Sequence, residues 1–282
     1  MGFEVHGLNF LKYVAREQPL GSVATIGRQS LLLWPSQIAE VLGVPNVPDF
    51  GNYCEELLKQ YFGAELVDSY DYSDYEGATF TADMNKPLTP IRQYDTVIDY
   101  GSLEHVYNVP QGLANVSQLC RKSGRIVHIS PSNNFCGHGF WQFSPELFFS
   151  LYSAANGYAE TEVFLADVTC LDQWFKVHPP SNGKRAEAVS SAPLHVMCKA
   201  RKVSDSCTSE VQQSDYVQAW KGEQQPSSET LSGVKKFVRS KPGLLRGVWA
   251  VRGRLHRLKN PTSLSDRNPH LKKVAVTDLL VG

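Results

Sequence analysis

Residues 94–106 read YDTVIDYGSLEHV and decide the fold, because a short apolar strand pattern leads there directly into a polar turn. The β-branched and aromatic residues of 94–99 predict a strand. A helical pattern begins at Asn108, and residues 125–130, RIVHIS, predict the next strand. A strand, a helix and a second strand in this order are typical of parallel strands joined by a crossover helix.

The same alternation of strands and helices extends over the first 200 residues. Short runs rich in β-branched or aromatic residues predict strands at 22–26, 65–71, 78–82, 94–99, 125–130, 161–168 and 194–200. Apolar residues at helical spacing predict helices that begin at Asn52, Asn108 and Ser144 and end at Gly63, Gly124 and Gly157. The sequence therefore predicts an α/β domain.

Charge and composition divide the chain into three parts. Residues 1–200 carry 13 basic and 21 acidic side chains, a balance of −8, whereas residues 201–282 carry 15 and 7, a balance of +8. Residues 201–232 are rich in Ser, Gln and acidic residues, which is typical of a polar linker. The predicted organisation is a domain over 1–200, a linker over 201–232 and a basic amphipathic extension over 233–282.

Composition also excludes several classes of protein. No run approaches the roughly 18 uninterrupted apolar residues of a membrane-spanning helix, and the N-terminus lacks the pattern of a secretory signal. The six cysteines include no C-x-x-C pair, so they are expected to be reduced thiols. Residues 136–138, CGH, resemble half a metal site without a second half, so no metal is predicted. We expect a cytoplasmic protein.

Candidate ligand-binding residues follow the predicted strands, because ligands of an open parallel sheet bind beyond the carboxyl ends of its strands. These residues are Gly27 and Arg28, Asp71 and Tyr72, Asp83 and Met84, Gly101, Glu104 and His105, and residues 131–134.

With this order of elements, the chain resembles the class I S-adenosylmethionine-dependent methyltransferases over about residues 20–200. Residues 94–106 and the KSGRIVHISP of 122–131 carry the likeness, which is to the type 11 group. The resemblance implies a Rossmann-like, doubly wound, mostly parallel sheet with a C-terminal antiparallel strand. It also implies a methyltransferase activity with S-adenosyl-L-methionine as cofactor.

The resemblance further assigns roles to the residues after the first three strands. Gly27 would face the methionine part of the cofactor, Asp71 would accept the ribose hydroxyls, and Asp83 would meet the adenine amine. A carboxylate that accepts two adjacent hydroxyls makes a strong and specific contact. Neighbouring positions complete the implied cofactor site, namely Arg28, Tyr72, Met84 and Gly101.

The chain departs from that family in its first turn. Residues 27–30 read GRQS, with one glycine where two or three are usual. An additional segment, 31–47, stands between Gly27 and Asp71 and is a candidate to cover the cofactor pocket. The departure leaves a second hypothesis open, a noncatalytic methyltransferase-like module. A nicotinamide-dependent oxidoreductase is disfavoured, because the G-x-G-x-x-G pattern is missing.

Residues 133–146 are dense in aromatic, amide and small side chains and are predicted to form the acceptor loop. Aromatic faces and amides suit a sugar ring, so the predicted acceptor is a small polar molecule, a sugar or glycan-precursor hydroxyl in polysaccharide biosynthesis. His138 and His105 are the candidate catalytic residues that remove a proton from it. His128 is interpreted as a histidine of the core.

The basic extension has a helical apolar stripe over residues 244–259, beside several arginines. Three roles remain open: contact with an anionic membrane surface, docking on the acidic domain of the same chain, and self-association. A nucleic-acid partner is a weaker hypothesis. At a membrane, the expected location is peripheral, at the inner surface.

Overall fold

The structure, a computed structural model, describes residues 2–181, 185–205, 211–220 and 262–281, together with 240, 241, 243, 244, 247, 248 and 251. Within these residues, no helix has the length and apolarity required to cross a bilayer.

Eleven strands and seven helices are assigned in the described residues. The strands are β1 Gly2–Phe3, β2 Gly21–Ile26, β3 Ser30–Leu31, β4 Ala64–Asp71, β5 Phe80–Thr81, β6 Tyr94–Tyr100, β7 Cys120–Pro131, β8 Tyr158–Asp167, β9 Gln173–Val177, β10 Leu194–Lys202 and β11 Leu271–Ala275. The α-helices are α1 Val5–Ala15, α2 Pro35–Leu42, α3 Glu55–Phe62, α4 Val109–Leu119, α5 Pro145–Leu151, α6 Ser214–Trp220 and α7 Val276–Leu280. Short 3-10 helices cover Leu103–His105 and Ala154–Asn156.

Nine of these strands form one sheet in the order β5-β4-β2-β6-β7-β10-β8-β9-β11. The first five run parallel, and β10 lies antiparallel between β7 and β8. The chain builds outward from β2 through β4 to β5, then returns to the other side of β2 with β6 and β7. The predicted Rossmann-like, mostly parallel sheet with a C-terminal antiparallel strand is therefore confirmed.

Helices cover both faces of the sheet and form two apolar cores. On one face, Val116 of α4 and Phe148 of α5 pack with Val97 and Ile126 of the sheet. On the other face, helices α1 and α3 pack with Ile98 and Val127. The period-2 alternation of strands β6 and β7 sends adjacent residues into opposite cores. Burial on both faces explains why these strands read as nearly continuous apolar runs.

The C-terminal segment returns to the sheet. Strand β11 pairs with β9, Leu271 lying opposite Val177, and the buried Val276 of α7 belongs to the same core as α1. Residues 262–281, which were assigned to the extension, thus contribute an edge strand and a helix to the domain. Of the predicted amphipathic stripe at 244–259, Leu244, Val248 and Val251 are helical and exposed, whereas Leu255 and Leu258 lie outside the described residues.

Three predicted helix ends are wrong in detail. Helix α5 ends at Leu151, and Gly157 instead follows the 3-10 helix Ala154–Asn156. Helix α3 begins at Glu55 after Cys54, not after Asn52, whose carbonyl instead accepts the N–H of Leu31. Helix α4 ends at Leu119, and β7 begins at once, so Gly124 lies in the strand. A Cβ at Gly124 would stand 2.9 Å from the carbonyl oxygen of Asp95. That glycine therefore permits close approach of two backbones rather than ending a helix.

Candidate functional site

Two adjoining cavities open at the carboxyl ends of the parallel strands, where the strand order reverses. The switch cavity, of about 190 Å³, is lined by five of the nine predicted site residues, Gly27, Asp71, Tyr72, Met84 and His105. The inner cavity, of about 170 Å³, is lined by Gly101 and His138. Arg28 and Asp83 line neither cavity. Each cavity is smaller than a typical ligand pocket, which measures roughly 300–1,000 Å³.

Asp71 ends β4 at the wall of the switch cavity. Its Oδ2 accepts the backbone N–H of Arg28 at 3.2 Å, which holds the carboxylate against the turn after β2. Oδ1 accepts no hydrogen bond within the described residues. Because a carboxylate has about four acceptor positions, this one retains the capacity to bind a pair of ligand hydroxyls.

The turn after β2 depends on its single glycine. Gly27 has a φ of +73°, and a Cβ there would approach the Ser102 hydroxyl oxygen to 2.7 Å. The Gln29 side chain is buried and donates to the carbonyl of Ile26 at 2.6 Å and to Ser102 at 3.2 Å. Gln29 stands where a second glycine was expected, yet its side chain turns into the protein and leaves the switch cavity open.

Arg28 supports the site from outside the cavity. Its guanidinium pairs with Glu55 at 2.7 Å, donates to the carbonyl of Glu76 at 2.6 Å and stacks on Tyr53 with 3.9 Å to the ring centre. These contacts occupy the positive charge. Arg28 therefore holds the loops together, and its backbone rather than its side chain contacts Asp71.

Asp83 is a partly buried residue directly before the turn that follows β5. Its Oδ1 accepts the backbone and side-chain N–H groups of Asn85, at 3.0 and 2.9 Å, and Lys86 pairs with its other oxygen. The hydrogen bonds from Asn85 lower the pKa of Asp83. Asp83 does not line the switch cavity, whereas Ala82, Met84 and Asn85 do, and the adenine contact implied by the resemblance stays a prediction.

The additional segment at 31–47 does not cover the switch cavity. Helix α2 within it packs on α1, and Lys12 of α1 donates to the carbonyl of Val41 at 2.9 Å. From this segment, Leu32 lines the wall of the inner cavity.

The inner cavity is built from the ends of β6 and β7 and the segment after β7. Aromatic faces come from Tyr100 and Phe135, and Phe135 stacks on His195 with 5.2 Å between ring centres. Burial lowers the pKa of His195 to about 4. The cavity wall is thus mainly apolar, with imidazoles at two points, His138 and His195.

Glu104, His105 and His138 form a cluster where the two cavities meet. Glu104 Oε1 lies 3.6 Å from His138 Nε2 and 3.9 Å from His105 Nε2, and the imidazole centres are 5.5 Å apart. Burial and the nearby Asp99 carboxylate raise the pKa of Glu104 to about 8. Burial, with the neighbouring His138, lowers the pKa of His105. The sequence placed both histidines near the acceptor but did not predict that Glu104 joins them.

A hydrogen-bonded chain lies beneath this cluster. Oδ2 of Asp99 is 2.9 Å from Nδ1 of His128, whose Nε2 accepts from the hydroxyl of Tyr152. The carboxylate accepts only, so the proton of the neutral imidazole is assigned to Nδ1. Oδ1 of Asp99 accepts the backbone N–H groups of Ser102 and Leu103. His128 is buried with both nitrogens bonded, as a core histidine is expected to be.

With this geometry, the chain can be set beside known proteins. Comparison with protein-family models and with curated protein sequences finds no match. Solved structures with a similar arrangement include the N-methyltransferase NodS from Bradyrhizobium japonicum, at 11% identity and a TM-score of 0.42, over 71% of this chain and 94% of that one. An O-methyltransferase from a Brevibacillus brevis multienzyme, in complex with S-adenosyl-L-homocysteine, matches at 13% identity and a TM-score of 0.39, over 69% of this chain and 71% of that one. Such values indicate at most a shared type of fold.

Proposed function

We propose that the protein is an S-adenosylmethionine-dependent methyltransferase acting on a small polar acceptor. The observation that carries the proposal is the position of Asp71. Its carboxylate stands at the end of the second parallel strand, in the wall of the switch cavity, with Oδ1 left for a ligand. An acidic side chain at such a point accepts the two hydroxyls of a ribose.

The charge of the site favours a cationic cofactor over a phosphorylated one. Among the described residues, no lysine or arginine lines the switch cavity, and the guanidinium of Arg28 is held by Glu55. The carboxylate of Asp71 stands in the wall of that cavity. Dinucleotides place a pyrophosphate against a glycine-rich turn, which this chain lacks. A sulfonium, by contrast, is attracted to carboxylates.

The residues present fit such a cofactor in three respects. Gly27 keeps the turn after β2 free of a side chain, Asp71 offers its carboxylate, and Met84 supplies an apolar surface for a base. The bound cofactor would supply an activated methyl group. The protein's part is to align the acceptor with that group and to exclude water.

The acceptor is assigned to the inner cavity and the activation of the acceptor to the Glu104–His105–His138 cluster. Aromatic faces beside imidazoles suit a hydroxyl-bearing ring, so we propose a sugar or a glycan precursor. A panel of monosaccharides, nucleotide sugars, phenols and amines should show S-adenosylhomocysteine release with saccharides. Turnover confined to phenols or amines would contradict the sugar assignment alone.

Cofactor binding tests the activity directly. Calorimetry should detect S-adenosylmethionine and S-adenosylhomocysteine on the wild type, with affinity at least about tenfold weaker in Asp71→Ala because two hydroxyl contacts are lost. Asp74→Ala, in the same loop but outside the cavity, is the matched control. Absence of binding by the folded wild type would overturn the proposal.

The alternative of a noncatalytic module rests on the single-glycine turn and the basic residues after 233. The single-glycine turn is weak support for this alternative, because the Gln29 side chain is buried and leaves the switch cavity open. Turnover that disappears in Asp71→Ala would eliminate this alternative. Membrane binding or self-association through 244–259 stays a separate proposal, to be tested with anionic vesicles and by sedimentation.

A further inference from the structure

The strongest unexplained feature of the site is the Glu104 carboxylate. Its side chain is fully buried, and neither carboxylate oxygen has a hydrogen-bond partner within the described residues. An unpaired polar group in the interior is costly, and an unpaired carboxylate is far more so. The protein retains it at the meeting point of two cavities, where a ligand can reach it.

Two imidazoles point toward that carboxylate without bonding to it. Oε1 of Glu104 is 3.9 Å from Nε2 of His105 and 3.6 Å from Nε2 of His138. Protein hydrogen bonds of this kind span about 2.7–3.2 Å, so neither contact is one. One ligand atom from each of the three residues lies within 4.8 Å of the other two. The gap at their centre is of the size that a cation fills.

The backbone holds the three residues in this arrangement. Glu104 and His105 share the 3-10 helix that follows β6, whereas His138 belongs to the segment that follows β7. The carbonyl of Glu104 accepts the N–H groups of Phe140, at 2.7 Å, and Trp141, at 3.3 Å. These bonds join the two segments directly beside the cluster, so the approach of His138 is built into the fold.

We propose that Glu104, His105 and His138 bind one divalent transition-metal ion. Two imidazoles and a carboxylate are the donors that zinc, manganese, iron and cobalt accept, whereas calcium and magnesium prefer oxygen alone. Tetrahedral ligation at about 2.0–2.1 Å places ligand atoms about 3.3–3.4 Å apart. The observed 3.6 and 3.9 Å separations reach that value by small rotations of two half-exposed imidazoles.

Three protein ligands leave at least one coordination position open, as catalytic metal sites do. His105 lines the switch cavity, while Glu104 and His138 line the inner cavity, so the open position faces the junction of the two. A hydroxyl bound to such an ion is a stronger acid than a free one. The ion would therefore orient and activate the acceptor. That consequence rests on the proposed function, whereas the metal site itself does not.

Metal binding can be measured without substrate or cofactor. The full chain, stripped with a chelator, is titrated with Co²⁺ and followed by visible absorption, and with Zn²⁺ and followed by calorimetry. The expected result is one ion per chain, with affinity reduced at least about tenfold in His138→Ala and in His105→Ala. His178→Ala removes an exposed histidine outside the cluster and should bind as the wild type does.

Two results would overturn the metal site: no binding by the folded wild type, or equal affinity in the wild type and both cluster variants. Glu104→Gln adds a test at the buried position, with circular dichroism to establish that it folds. It should weaken binding and abolish the metal-induced rise in melting temperature. Binding of S-adenosylmethionine is measured separately on the stripped protein, so either proposal can fail while the other stands.

Discussion

The backbone N–H of Arg28 donates to Oδ2 of Asp71 at 3.2 Å and joins the turn after β2 to the end of β4. The side chain of the same arginine reaches Glu55 of α3 and the carbonyl of Glu76. One residue therefore ties three segments around the switch cavity. The position of the Asp71 carboxylate depends on this connection.

Loss of the Arg28 side chain should loosen the whole arrangement. Arg28→Ala removes a charge-assisted hydrogen bond to a partly buried glutamate and a bond to a carbonyl, so the free energy of unfolding should fall by about 1–3 kcal/mol. Urea denaturation measures it. Lys59→Ala is the control, because that ammonium pairs with the exposed Glu56 at 2.8 Å and is itself exposed. Equal losses in the two variants would show that Arg28 contributes no more than a surface charge.

Gly27→Ala should be more harmful than an equivalent change elsewhere. Gly27 and Gly43 both have a φ of +73°, but a Cβ at Gly27 meets Ser102 at 2.7 Å, whereas nothing lies within 4 Å at Gly43. The left-handed backbone costs alanine about 1–2 kcal/mol at both sites. Crowding adds about 1–3 kcal/mol at Gly27 alone.

Urea denaturation of the two alanine variants separates these effects. Ser102→Ala removes the hydroxyl that the new methyl group meets, but it also removes the partner of Gln29. It should therefore cost less in the Gly27→Ala background than in the wild type, by the crowding part. If Gly27→Ala and Gly43→Ala were equally stable, the close contact with Ser102 would have no energetic weight.

Tyr152→Phe tests the assignment of His128 to the core. It leaves Nε2 of a fully buried imidazole without its donor, so the free energy of unfolding should fall by about 1–3 kcal/mol. Binding of S-adenosylmethionine should be unchanged. Tyr75→Phe, at a tyrosine 91% exposed, should alter neither quantity. A variant with normal stability and lost turnover would instead make His128 part of the chemistry.

The buried His195 should make stability fall in mild acid. Burial lowers its pKa to about 4, and of the charged groups around it, Glu4 opposes this shift while His6 and His138 add to it. Because the folded pKa lies below the unfolded value of about 6.5, the folded state favours the neutral imidazole. Its contribution is present above pH 6.5 and is lost as the pH falls toward 4.

Between pH 7 and pH 5, this difference amounts to about 2 kcal/mol of the free energy of unfolding. His195→Gln removes the titrating group and should flatten the pH dependence by that amount in urea denaturation. His178→Gln, at an exposed site, is the control. A wild type as stable at pH 5 as at pH 7 would contradict the prediction.

The sequence by itself determined the α/β class and most of the parallel strands. Runs such as 94–100 and 125–130 are buried on both faces, and their apolar residues identify them without any knowledge of neighbours. It also determined that Asp71 ends a strand, because the apolar run stops there. These properties are local, so they can be predicted from residues next to one another.

Elements at the margins of the domain were not predicted from local pattern. Helix α1, strand β9 and strand β11 each carry a less distinct pattern, and their place depends on contacts distant along the chain. Strand β11 is the clearest case. Its residues read LKKVA, and pairing with β9 gives Leu271 a buried environment that its own segment does not supply.

The tertiary structure alone decided which polar residues form the site. Asp83 and Asp71 follow consecutive predicted strands, yet Asp83 turns to Asn85 while Asp71 lines the switch cavity. Glu104 and His138 come together because the segment after β7 hydrogen-bonds to the carbonyl of Glu104. Loop conformation and the pairing of distant segments depend on long-range packing and hydrogen bonds, which the periodicity of a sequence does not encode.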